Sequence, residues 1–306
     1  MSDRLSRAQA YRLYMIAAVG LIGMSLLMAV LPYGARWLTV AYYLLCMALP
    51  VFLMVKGRGC IESLRPYPLP PACYLPVLLL PFLVLMITSA VTLIWQIPFD
   101  LLGARLYSNV PESNNMRALI INILLSAALP AVCEEFLFRG AILSALEPYG
   151  TKRAILITSL LFTLLHGSIV SAPGIFILGV VMGMIAVYTG SIYGSIVYHT
   201  LHNAITMVIS YLLPVAETTD ADTAALEALG SAQMMFGLAL DILLCALAAY
   251  FLLRALVRRA KQVNLPVYPK RRAARNGGTA ALVISGIVLV ILYALDILSM
   301  IPGVIE

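Results

Sequence analysis

Apolar runs of 13 to 31 residues, the longest interrupted by charge, repeat from one end of the chain to the other. They cover 11–31, 37–55, 73–95, 116–146, 154–166, 174–188, 191–213, 234–257 and 279–300, and short connections rich in charge, Gly and Pro separate them. A membrane-spanning helix uses roughly 20 apolar residues. The pattern therefore predicts an all-α polytopic membrane protein with about nine transmembrane helices. The fifth run is short for a span. Composition agrees: of 306 residues, 62% are hydrophobic and only 11% charged, against about 25% charged in an average soluble domain. An ordinary soluble enzyme, a disordered chain and a secreted disulfide scaffold are excluded. The first run follows Arg4 and Arg7, but it is long, lacks a small-residue cleavage site and has eight more behind it. A retained helix is expected there, not a signal peptide.

Charge sets the orientation. With nine alternating helices and a cytoplasmic N-terminus, sixteen of the 20 Lys and Arg fall on the cytoplasmic side. Arg36, Arg105 and Arg117 fall outside, and Arg139 stays in the membrane. The positive-inside rule then predicts N-terminus in and C-terminus out, at a multi-pass plasma membrane. The acidic connection 214–230, with Glu217, Asp220, Asp222 and Glu227, falls outside. The net charge of +6 is concentrated in the connection 258–275, which is expected to anchor against anionic lipid headgroups and not to bind nucleic acid. The Pro-rich piece 66–71 is a stiff connector. The five cysteines, Cys46, Cys60, Cys73, Cys133 and Cys245, are scattered among apolar neighbours and are read as small hydrophobes.

Against this background Glu134, Glu135 and Arg139 stand out inside the fourth run. Each would oppose insertion by roughly 2.5–3.5 kcal/mol if left alone at mid-membrane, so such groups are functional candidates. Glu135 and Arg139 are an i, i+4 pair with the acid first, the favourable order for an ion pair. Glu134 is turned about 100° away and keeps no helical partner of opposite charge. The pair is expected to be structural, and Glu134 available for chemistry. Pro130 is expected to kink the helix and release the carbonyl of Ser126.

All three histidines follow: His166 ends the fifth run, and His199 and His202 lie in the seventh, with Asn203 four residues after His199. At 1.5 Å per residue, Glu134, His166 and Asn203 lie roughly 18–20 Å from the cytoplasmic helix ends, and His199 roughly 12 Å. One layer can hold all four. A carboxylate in an apolar cavity suits a general base, and imidazole and amide donors suit a developing oxyanion. That combination can hydrolyse a peptide bond. Neither a G-x-S-x-G turn nor an H-E-x-x-H helix is present. Glu134, His166 and His199 would also make an acceptable zinc ligand set with an open position.

The three patterns Glu134-Glu135-x-x-x-Arg139, Phe162-x-x-x-His166 and His199-x-x-x-Asn203 resemble the motifs of the CPBP family, the type II CAAX prenyl endopeptidases and their bacterial relatives. Tyr188-Thr-Gly-Ser191 resembles the bacterial members as well, and no motif position departs from the pattern. The resemblance covers about a third of the chain, 116–213. It implies an intramembrane endopeptidase open to the cytoplasmic side, in which Glu134 and His166 activate water and His199 with Asn203 hold the oxyanion. Support from Glu135 and Arg139 is implied too. The substrate would be a membrane-associated peptide or lipidated protein. No cofactor is favoured, because Asn203 suits an oxyanion hole better than a zinc site. Three regions result: 1–115 with three helices, a 116–213 core with four, and 214–306 with two. A zinc protease, a non-catalytic scaffold or bacteriocin-immunity protein, and a proton-relay transporter are the alternatives. Gly179 and Gly183 are expected to allow close helix packing, Asp241 to face the bundle interior, and Asp296 to reach water.

Overall fold

Each apolar run forms a helix in the computed structural model, which describes residues 4–31, 36–104, 110–213, 232–261 and 278–301. The helices are α1 (Arg7–Val30), α2 (Arg36–Arg58), α3 (Pro71–Leu101), α4 (Met116–Tyr149), α5 (Thr151–Leu165), α6 (Ala172–Thr189), α7 (Ile192–Leu212), α8 (Ala232–Lys261) and α9 (Thr279–Met300). The protein is an all-α polytopic membrane protein. By length and composition seven helices among the described residues can cross a membrane. The two outside that set are α5, with 15 residues, and α7, whose apolar positions are diluted by Ser195, Tyr198, His199, His202 and Asn203. These two carry the histidines. α5 packs on α6, and α7 packs on α3, α4 and α6, so that His199 and His202 are buried, as ionisable groups in a membrane should be. Apolar side chains on α8 such as Leu243 and Leu247 face outward instead. The acidic connection 214–230, Arg105 and most of the basic connection 258–275 lie outside the described residues.

Proline shapes the two helices that meet at the bundle centre. A prolyl residue has no N–H and crowds the preceding turn. In α4 the turn before Pro130, Ile123–Ala128, widens so that Leu129 donates to the carbonyl of Leu124. In α2 the turn before Pro50, Tyr43–Ala48, widens in the same way, with Leu49 donating to Leu44. A third wide turn, Phe136–Ile142, follows the two glutamates. The break expected at Pro130 thus takes the form of an extra residue in the turn before it. Such wide turns are frequent at functional sites because they re-aim side chains.

Alternation of the helices gathers their connections at two ends. At one end Glu147 Oε2 accepts from Arg4 and Arg65, each at 2.9 Å. Ile192 N–H donates to the Arg65 carbonyl there, and Arg259 donates to the Ala72 carbonyl. At the other end the α5–α6 connection is held through Ile169. Its carbonyl accepts from Trp95 Nε1 at 3.0 Å, and its N–H donates to Asp296 at 2.8 Å. Asp296, expected to reach water, is half-buried and also serves as the acceptor that this backbone donor needs.

Small residues set the helix spacing. A Cβ on Gly179 would lie 3.0 Å from Ser159 Cβ, and one on Gly183 would lie 3.0 Å from Ile155. The G-x-x-x-G stripe of α6 therefore lies flush on α5, as its composition predicts.

Candidate active site

The carboxylates of Glu134 and Glu135 follow different directions from one helix. Glu135 and Arg139 are both fully buried, with Nη1 donating to Oε1 at 2.8 Å. The guanidinium also donates to the Gly179 carbonyl at 3.1 Å and sits 4.5 Å from the centroid of the Phe162 ring. Neither residue of the pair lines the central cavity. This is the i, i+4 geometry expected from the sequence, extended by a backbone acceptor on α6 and a ring on α5.

Glu134, 6% exposed, lines a cavity of about 950 Å³. Its Oε1 accepts from the Tyr43 hydroxyl at 3.3 Å. Its Oε2 has no hydrogen-bond partner among the described residues and lies 3.8 Å from His199 Nε2. Tyr43 opens the wide turn of α2, and sequence reasoning did not single it out. No motif marks it: the only trace is a Tyr42-Tyr43 pair in an apolar run eight residues before a proline.

His199, 2% exposed, stands between the two carboxylates. Its Nδ1 is 3.1 Å from Glu135 Oε1. A carboxylate engaged by Arg139 can only accept, so Nδ1 carries the proton. Nε2 is then left facing Glu134, and it can donate only when the ring holds both protons. His166 is fixed by a local bond, Nδ1 to the Phe162 carbonyl at 2.8 Å. A carbonyl also only accepts, so in the neutral ring Nε2 is the lone-pair nitrogen. Phe162 packs edge-on against both rings, with centroids 4.6 Å from His166 and 5.8 Å from His199.

All four residues given catalytic roles by the sequence, Glu134, His166, His199 and Asn203, line this one cavity. His202 lines it too, stacked on Tyr198, although its position in the helix had set it to one side. Asp241 also lines it, accepting from Cys245 Sγ. The remaining wall is largely apolar or hydroxylic, with Thr88, Ser89 and Thr92 of α3 and Ser126 of α4.

The zinc alternative requires Glu134, His166 and His199 to converge on one point. Among the described residues no group of three or more His, Cys, Asp or Glu side chains is placed to hold a metal ion. The bond from His199 Nδ1 to Glu135 leaves Nε2 as the ring nitrogen facing Glu134. No chemical step below runs through a metal.

Comparison with known proteins agrees with the part of the chain that builds this cavity. Residues 116–205 match the family model described as Type II CAAX prenyl endopeptidase Rce1-like. No curated protein and no solved structure matches the chain.

Proposed function

Residues 116–205 carry the sequence of a CAAX-protease-like family, and from that premise we propose that the chain hydrolyses a peptide bond of a membrane-associated peptide or protein, with Glu134 as the general base. A CAAX-type intramembrane endopeptidase is what the family supports in general. The observation that carries the finer reading is the division of labour between neighbouring glutamates. Glu135 is neutralised by Arg139, whereas Glu134 has a carboxylate oxygen with no hydrogen-bond partner among the described residues and lines the cavity that His166, His199 and Asn203 share.

In this mechanism a water between Glu134 and His166 attacks the scissile carbonyl carbon. Its proton passes to the Glu134 carboxylate, helped by the lone pair of His166 Nε2. The carbonyl oxygen becomes an oxyanion and accepts from the Asn203 amide and from His199 Nε2 when that ring is doubly protonated. The C–N bond breaks as the proton held by Glu134 moves to the leaving amine. One peptide bond and one water become a carboxylate and an amine. A positioned base contributes roughly 10²–10⁴-fold, and one oxyanion donor roughly 10²–10³-fold.

The test is cleavage of a library of lipid-anchored peptides by purified wild-type protein and by Glu134→Gln. Glutamine keeps the shape and removes the base. Turnover should fall by roughly 10²–10⁴-fold with folded yield unchanged, and a chelator should leave the wild type active. A Glu134→Gln protein that cleaves at the wild-type rate would refute the assignment.

A further inference from the structure

The cavity lies towards one end of the bundle, and the charges of the chain say which end that is. Every residue that lines it comes from one half of the structure. On α3 they run from Leu85 to Gln96, towards the helix end at Leu101; on α4, from Ser126 to Glu134, on the Met116 side. Val110 and Pro111 precede α4, Ser168 and Ser171 lie in the α5–α6 connection, and Leu238 and Asp241 lie near the start of α8. No lining residue comes from the opposite end, where Arg4, Arg65 and Glu147 meet.

That opposite end carries the positive charge. Arg4, Arg7, Lys56, Arg58, Arg65, Lys152, Arg153, Arg258, Arg259 and Lys261 all flank its helix termini, whereas the described basic residues flanking the cavity end are Arg36 and Arg117. The cavity end shows Asp100, Glu112 and Asp296 instead. Lys and Arg within roughly 15–20 residues of helix ends stay cytoplasmic. Two expectations drawn from the sequence therefore collide: the charge bias, and a site open to the cytoplasm. The structure puts the bias and the cavity at opposite ends.

We propose that the catalytic cavity opens to the extracytoplasmic face, and that its substrate is a chain whose scissile segment is presented from that side. The inference rests on the reading of this cavity as a protease site for its substrate, but not for its orientation. A lipid-modified C-terminus lying on the cytoplasmic leaflet could not reach Glu134, because the ion-paired end formed by Arg4, Arg65 and Glu147 intervenes. The fitting substrate is the extracytoplasmic juxtamembrane segment of an exported or membrane-anchored polypeptide.

Orientation is measurable without any cleavage. Asn114→Cys places an exposed thiol at the cavity end, and Ala72→Cys places one at the basic end; neither residue belongs to the proposed machinery. Intact cells are treated with a membrane-impermeant maleimide, and the wild type, with its own cysteines, serves as the blank. Labelling of Asn114→Cys in intact cells, with Ala72→Cys labelled only after permeabilisation, is the expected result. The reverse pattern would overturn the orientation even if the protein proved to be an active protease. An inactive wild type with the expected labelling would instead count against the protease reading and leave the orientation standing.

Discussion

Arg139→Ala should destabilise the core more than any other single truncation near the cavity. Arg139 and Glu135 are fully buried and joined at 2.8 Å. Removing the guanidinium leaves a buried carboxylate without its cation, which costs about 3–5 kcal/mol in protein interiors. The lost contact with the Phe162 ring at 4.5 Å adds up to about 2 kcal/mol, and the Gly179 carbonyl loses a donor. Two effects offset part of this: Glu135 can take up a proton, and His199 remains at 3.1 Å. A net loss of about 3 kcal/mol follows from these terms, a large share of the 5–15 kcal/mol typical of a whole domain. Denaturant unfolding in detergent, with monodisperse yield after heating, measures it. The double variant Glu135→Leu, Arg139→Met removes both charges and should regain most of the stability. It should stay inactive, because His199 loses its Nδ1 partner. A single variant that unfolds like the wild type, or a double variant less stable than the single, would refute the argument.

Tyr43→Phe removes the hydroxyl that donates to Glu134 at 3.3 Å. A loss of about 1 kcal/mol, roughly a five-fold fall in kcat at unchanged folded yield, is expected, and an unaltered kcat would show that the hydroxyl does not orient the carboxylate. Gly179→Ala drives a Cβ to 3.2 Å from the Ser159 backbone and should cost about 1–3 kcal/mol by overpacking, whereas Gly23→Ala, with nothing within 4 Å of the added carbon, should stabilise α1 by about 0.5–1 kcal/mol; equal unfolding curves would contradict the close approach of α5 and α6. Asp296→Ala frees the Ile169 N–H and should speed hydrogen exchange at Ile169 and its neighbours, measured by mass spectrometry, with no change expected at α2.

Local features were legible in the sequence, and long-range ones were not. The helices follow from runs of apolar residues, and the Glu135–Arg139 pair follows from helical period alone. The same period turned Glu134 away from that pair. The form of the break in α4 did not follow from Pro130. A proline forbids one hydrogen bond but does not say whether the turn before it keeps the α spacing or takes in an extra residue. Tyr43 escaped because its partner is 91 positions away and a tyrosine in a membrane helix has many commoner uses. The bond from Asp296 to the α5–α6 connection spans 127 positions. His199 was expected at the cavity wall, but its second bond, to Glu135, depends on the distance between α4 and α7, and no pattern within either helix encodes that distance.

The flanking helices bear on the site through α5, which is too short to hold its own place. A 15-residue helix with His166 at its end leaves several carbonyls of the last turn without an intrahelical partner. Besides Trp95 of α3, which donates to the Ile169 carbonyl, three residues outside 116–205 bond to that helix or the connection behind it. Tyr14 of α1 donates to the Leu161 carbonyl at 2.8 Å, Tyr293 of α9 donates to the Thr163 carbonyl at 3.2 Å, and Asp296 of α9 accepts from Ile169. The Phe162 carbonyl between the two tyrosine acceptors takes the His166 ring. Successive carbonyls at the end of α5 thus have partners from α1, from its own histidine and from α9. The orientation of His166 Nε2 therefore depends on helices that carry none of the family's motifs. In the proposed mechanism the segment 116–205 supplies the reactive groups, and the helices around it hold the backbone on either side of the Phe162 carbonyl that fixes the His166 ring.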